Sequence, residues 1–105
     1  MNLDTYSDRA KSAVQSAQSL ALARRHQQFA PEHLLKVLLE ERDGLARGLI
    51  TSAGGDAKRA EADIETALSK RAQISGGSGQ LYLDGDTARV FAAAEQAAKK
   101  AGDQF

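Results

Sequence analysis

The sequence predicts an all-α domain, and three observations carry that expectation. Apolar residues recur at helical spacing through five stretches, the 105-residue chain has a single proline, and its nine glycines cluster mainly between those stretches. The length suits one small domain. Charged residues make up 27% of the chain and balance to a net charge of zero, so neither nucleic acid nor an anionic membrane is an expected partner. With no cysteine, a disulfide framework and thiolate metal sites are excluded, which fits a reducing compartment. The opening "MNLDTYSDRAK" lacks the apolar run of a secretory signal, and no stretch is long enough to span a bilayer, so a cytoplasmic location is expected. Aromatic residues are only 5% and tryptophan is absent, so alanine, leucine and isoleucine are expected to build the core.

The first helix is expected from about Asp8 to Arg25. Ala10, Ala13, Val14, Ala17, Leu20 and Ala21 form its apolar face, and Ser7 stands at its N-cap. The loop "HQQFA" follows. The second helix opens on Pro31, whose missing N–H costs nothing at a first helical position, with Glu32 beside the positive end of the dipole. Leu34, Leu35, Val37, Leu38 and Leu39 cover most of its circumference, which predicts a buried, central helix.

A short third helix, "LARGLITSAG", ends in the Gly54–Gly55 pair. Asp56 caps a fourth, striped by Ala57, Ala60, Ile64, Ala67 and Leu68. Residues 72–83, "AQISGGSGQLYL", read as a glycine-rich connector in which "QLYL" is a candidate extended piece. The fifth helix starts near Asp84 or Asp86 and carries Val90, Phe91, Ala94, Ala97 and Ala98.

Laid on the first helix with an offset of 76 residues, the fifth pairs Val14 with Val90, Ala21 with Ala97, Gln28 with Gln104 and Phe29 with Phe105. The match predicts an internal repeat. Repeat one occupies about 6–71, the connector 72–83, and the start of repeat two 84–105. Two full copies need more residues than the chain contains, so the second unit is expected to be truncated, with an exposed apolar strip on the fifth helix.

Sequence signals for chemistry are few. "GGSGQ" is followed by Leu81, without the lysine and hydroxyl of a phosphate loop. His26 and His33 lie seven residues apart, which fails the i, i+4 metal template and points to structural histidines. The serines lack a recognisable nucleophile motif, and the carboxylates are scattered, so no catalytic set is expected. Tyr6 before the first helix, Phe91 among alanines, and Asp103 just past a helix end, where the dipole does not favour a carboxylate, are candidate binding residues.

"AQSLALARRHQQFAPEHLLKVLLEERDGLARGLITSAG", residues 17–54, closely resembles the N-terminal domain of Clp-type AAA+ chaperones. "AQSLAL" followed by "PEHLL" looks most like the ClpB disaggregases rather than their ClpA or ClpC relatives, and the likeness extends through "SGGSGQLYL" to the final "GDQF". The resemblance implies two pseudo-repeated four-helix units with a groove between them for apolar stretches of unfolded or aggregated polypeptides. It carries Tyr6, Ser7, Phe91, Ala97 and Asp103 into that groove. Ser7 stands where threonine is usual, and Ala97 is smaller than the residue expected there. It further implies a full-length hexameric AAA+ ATPase that uses ATP and magnesium in modules absent from this chain and works with the DnaK chaperone system, while this portion carries no cofactor. The alternative implied by ClpA and ClpC is an adaptor- or degron-binding domain, in which Glu32 makes the contact.

Overall fold

The computed structural model describes residues 3–41, 44–73 and 81–102. Five helices follow in order: α1 Asp8–Ala23, α2 Pro31–Glu40, α3 Leu45–Ser52, α4 Ala57–Ser69 and α5 Gly85–Ala101. Two strands of two residues each, β1 Gln28–Phe29 and β2 Tyr82–Leu83, pair in parallel. The architecture is essentially all-α. The "QLYL" stretch does supply an extended piece, while the glycines of "GGSGQ" lie outside the described residues.

Caps set the helix limits. The Ser7 hydroxyl accepts from the Ala10 N–H at 3.2 Å, and Asp56 Oδ1 accepts from the Arg59 N–H at 3.2 Å. At its other end α1 stops two residues before the predicted Arg25, because that residue turns left-handed with φ 62°. The turn sends the Arg25 N–H to the Leu22 carbonyl and the His26 N–H to the Ala21 carbonyl, a paired closure that satisfies two otherwise orphaned acceptors. The same closure ends α3 at Gly54, φ 88°, whose N–H reaches the Thr51 carbonyl while that of Gly55 reaches Ile50. There the left-handed residue is glycine, which pays no Cβ penalty.

Helix α2 lies against α1 and α4, as its apolar surface predicts. Its burial is nonetheless incomplete. Leu39 and His33 are fully buried, but Leu38 is exposed, because short α3 covers little of that side and leaves its own Leu45 and Leu49 largely exposed.

Aromatics contribute more to the core than their share of the sequence suggests. Tyr6, Phe29 and Phe91 are all buried and cluster with Val14 and Ala17. The Phe91 ring sits 6.0 Å from Tyr6 and 6.1 Å from Phe29, each pair tilted. This geometry is favoured by the ring quadrupoles.

Helices α1 and α5 can also be compared at an offset one residue longer than the 76 read in the sequence. An offset of 77 residues pairs the two N-caps, Ser7 with Asp84, and the left-handed terminal residues, Arg25 with Gly102. It also pairs buried Val14 with buried Phe91 and buried Ala21 with buried Ala98. At 76, Val14 and Ala21 would fall on Val90 and Ala97, both exposed. One residue on a helix turns a side chain by about 100°, so the 77-residue offset matches buried positions and the 76-residue offset does not.

Glu65 ties three helices together. Its carboxylate accepts from Arg24 at 2.5 and 2.7 Å and lies 3.3 Å from the Lys36 ammonium. The hydrogen-bonded Arg24 guanidinium, assisted by Lys36, holds the Glu65 carboxyl down to about 2. A lowered carboxylate value gives stability that is complete above pH 4.5 and lost as the pH falls towards 2. The side chain is 40% exposed, so screening limits its contribution. Glu65→Gln is expected to lower unfolding free energy by about 1 kcal/mol at pH 7. Urea titrations of both proteins should show that difference shrink below pH 4.5.

Candidate functional site

Tyr6 is positioned by a turn in which its N–H donates to the Leu3 carbonyl at 3.0 Å. Its ring packs on Phe91, and its hydroxyl donates to Glu95 Oε1 at 3.3 Å. Burial, followed by the Glu95 charge, raises the phenol above its ordinary value, so the hydroxyl remains a donor at neutral pH. Ser7 follows directly and caps α1. The N-terminus of α1 and the middle of α5 are therefore joined through Tyr6.

Along α5 the helical period divides the side chains. Thr87, Phe91 and Ala98 face inward, while Val90, Ala94 and Ala97 are exposed at i, i+4 and i+7. Val90 is 42% exposed, and Tyr82 and Leu83 of β2 are exposed as well. The result is an exposed apolar strip on one side of α5, while Phe91, on the inward side, packs on Tyr6. Of the residues expected in the groove, Tyr6 and Phe91 are in contact, Ser7 follows Tyr6 in sequence, and Ala97 lies nearly two turns beyond Phe91 along α5 on the exposed face. Asp103 lies outside the described residues.

Glu32 is engaged within the chain. Its Oε2 accepts from Arg71 Nη2 at 3.0 Å and from Arg71 Nε at 3.3 Å, and the same guanidinium stands 3.9 Å from Asp84. Three segments, the start of α2, the end of α4 and the cap of α5, converge on Arg71.

Two features went unread in the sequence. The first is a groove between α1, α2 and α3 lined by Ala13, Ser16, Val37, Leu38 and Leu45. The second is the pairing of His26 with His33: Nδ1 of one lies 2.8 Å from Nε2 of the other, and both rings are buried. The Ala30 N–H donates to His33 Nδ1 at 3.0 Å, making that nitrogen an acceptor and placing the His33 proton on Nε2. His33 Nε2–H then donates to His26 Nδ1, and the His26 proton sits on its own Nε2. Burial foremost, then the His26 and Arg71 charges, lowers His33 to about 4. His26 is lowered too, by burial and then by Arg71 and Arg24. The spacing of seven could have suggested a shared helical face, but His26 is in a turn, so the contact depends on the left-handed Arg25.

Among the described residues, no group of three or more His, Cys, Asp or Glu side chains could hold a metal ion. No described helix is long and apolar enough to cross a membrane.

The model of the Clp repeat (R) N-terminal domain family matches residues 5–105. Over its full length the chain is 54% identical to the chaperone protein ClpB of Agrobacterium fabrum and 52% identical to that of Mesorhizobium japonicum. It spans 12% of the length of each of these relatives. Among solved structures, the N-domain of ClpV from Vibrio cholerae matches 92% of this chain and 57% of its own, with a TM-score of 0.77. At 18% identity, that likeness speaks for a shared fold.

Proposed function

The chain belongs to the Clp repeat (R) N-terminal domain family, and on that premise we propose that it is the substrate-recognition domain of a ClpB-type disaggregase. In this reading it engages exposed apolar segments of unfolded or aggregated polypeptides and passes them to an AAA+ ring. The observation that carries the reading is the solvent-exposed apolar strip of Val90, Ala94 and Ala97 on α5. Contact with such a strip rewards apolar surface without demanding sequence, which is what capture of varied unfolded chains requires.

The proposed contact set is Tyr6, Ser7, Phe91, Ala97 and Asp103. Within it Ala97 meets the client, Tyr6 and Phe91 hold α5 in place through their ring contact, and Asp103 favours clients with basic flanks. A shallow strip binds weakly, and affinity arises from several copies tethered to a hexameric ring. ATP and magnesium belong to the ring rather than to these residues. Cooperation with the DnaK system, a cytoplasmic location and the absence of catalysis in the domain itself are parts of the same proposal. The adaptor or degron reading through Glu32 is less favoured, since an incoming cation must first displace Arg71 from that carboxylate.

The test is NMR titration with a permanently unfolded reduced and alkylated protein. Shifts are expected at Val90, Ala94 and Ala97 of the strip and at Tyr6 and Phe91. Val90→Asp should weaken binding about tenfold by placing a carboxylate in the strip. Shifts confined to α3 and α4, or unchanged affinity in that variant, would overturn the reading.

A further inference from the structure

We propose that the His26–His33 pair is a proton-sensitive clamp that holds β1, and through β1 the helical unit begun by α5, in its docked position. The inference concerns coupling between the two units and stands apart from the substrate reading.

The hydrogen-bond chain has no room for another proton. A proton on His33 Nδ1 removes the acceptor for the Ala30 N–H, and a proton on His26 Nδ1 sets it against the His33 Nε2–H. Either way one of the two buried bonds breaks. The surroundings also disfavour a cation: Arg24 at the end of α1 and Arg71 beyond α4 both bear on His26. Glu32 on α2 opposes them at His33 but is itself held by Arg71, which also faces Asp84 at the α5 cap.

The segment clamped is the one on which α5 docks. His26 and the Ala30–His33 turn bracket residues 27–29. From that segment the Gln27 carbonyl accepts from the Tyr82 N–H at 2.8 Å, and the Phe29 carbonyl accepts from the Asp84 N–H at 3.1 Å. The buried Thr87 hydroxyl also donates to Phe29 O at 2.7 Å. Loosening this short segment therefore releases the main polar attachment of α5, while the packing of α1, α2 and α4 stays in place.

The sign follows from linkage. A histidine whose folded value is depressed gives stability that is complete above its ordinary value of 6.5 and lost as pH falls from there towards 4. Opening should become about tenfold more favourable for each pH unit in that window, for each histidine released.

Amide exchange of the 105-residue chain between pH 7.5 and 4.5, corrected for intrinsic rates, tests this. Protection at Tyr82 and Asp84 should fall by about tenfold or more per unit below pH 6.5, while Leu39 and Leu68 keep theirs. The double variant His26→Asn/His33→Asn, which retains acceptors but cannot titrate, should lose that pH dependence. Nitrogen shifts of the imidazoles should place the proton of both rings on Nε2 at pH 7.5, a readout independent of whether the variant folds. Constant protection at Tyr82 and Asp84, simultaneous loss at Leu39 and Leu68, an unaltered pH profile in a folded double variant, or a proton on either Nδ1 overturns the proposal.

Discussion

Phe29→Ala is expected to remove a large share of the stability of this chain. The ring is 1% exposed and meets Phe91 at 6.1 Å and His33 at 6.4 Å, so it fills the junction between the first helical unit and α5. Truncating a buried phenylalanine costs about 3–5 kcal/mol, the lost transfer energy plus the cavity left behind. A small domain has only about 5–15 kcal/mol in total. Urea unfolding should show the midpoint falling by about 1.5 M or more. Leu49→Ala, at a position 60% exposed, is the control and should change stability by less than about 0.5 kcal/mol. Similar midpoints for the two variants would mean that Phe29 does not join the units.

The second large effect is expected at Leu39, which has no solvent exposure and sits on the helix against which both α1 and α4 pack. Leu39→Ala should cost about 2–5 kcal/mol, whereas Leu39→Met, close in volume, should cost less than about 1.5 kcal/mol. Calorimetry or urea unfolding can measure both. The main-chain carbonyl of Leu39 also accepts from Arg47 Nη1 at 2.8 Å, tying α3 to the C-terminal end of α2. That bond survives either substitution, so the difference between the variants reports packing alone. A loss below 1 kcal/mol in the alanine variant would show that α2 is not the centre of the bundle.

Much of the fold was legible because its determinants are local. Ser7, Asp56 and Pro31 each stand where cap or first-turn chemistry places them, and Gly54 closes α3 through a left-handed turn that glycine adopts freely. Arg25 was harder to read. It takes the same left-handed turn without being glycine, so α1 ended earlier than its apolar period suggested. The candidate site was legible in part. Val90, Phe91, Ala94, Ala97 and Ala98 were legible as the apolar set of α5, but which of them face solvent, and the contact that buries Tyr6 on Phe91, are not revealed by the order of the sequence.

From its residues alone, this chain declared an all-α domain and the order of its helices, because caps, helical period and turn residues act within a few positions of one another. Tertiary structure alone decided which positions of α1 and α5 are buried, the neutral His26–His33 pair, the aromatic core and the bond from Thr87 to Phe29. That last bond spans 58 positions. Contacts of this kind depend on which helix faces meet, and packing settles that choice only once the whole chain has folded.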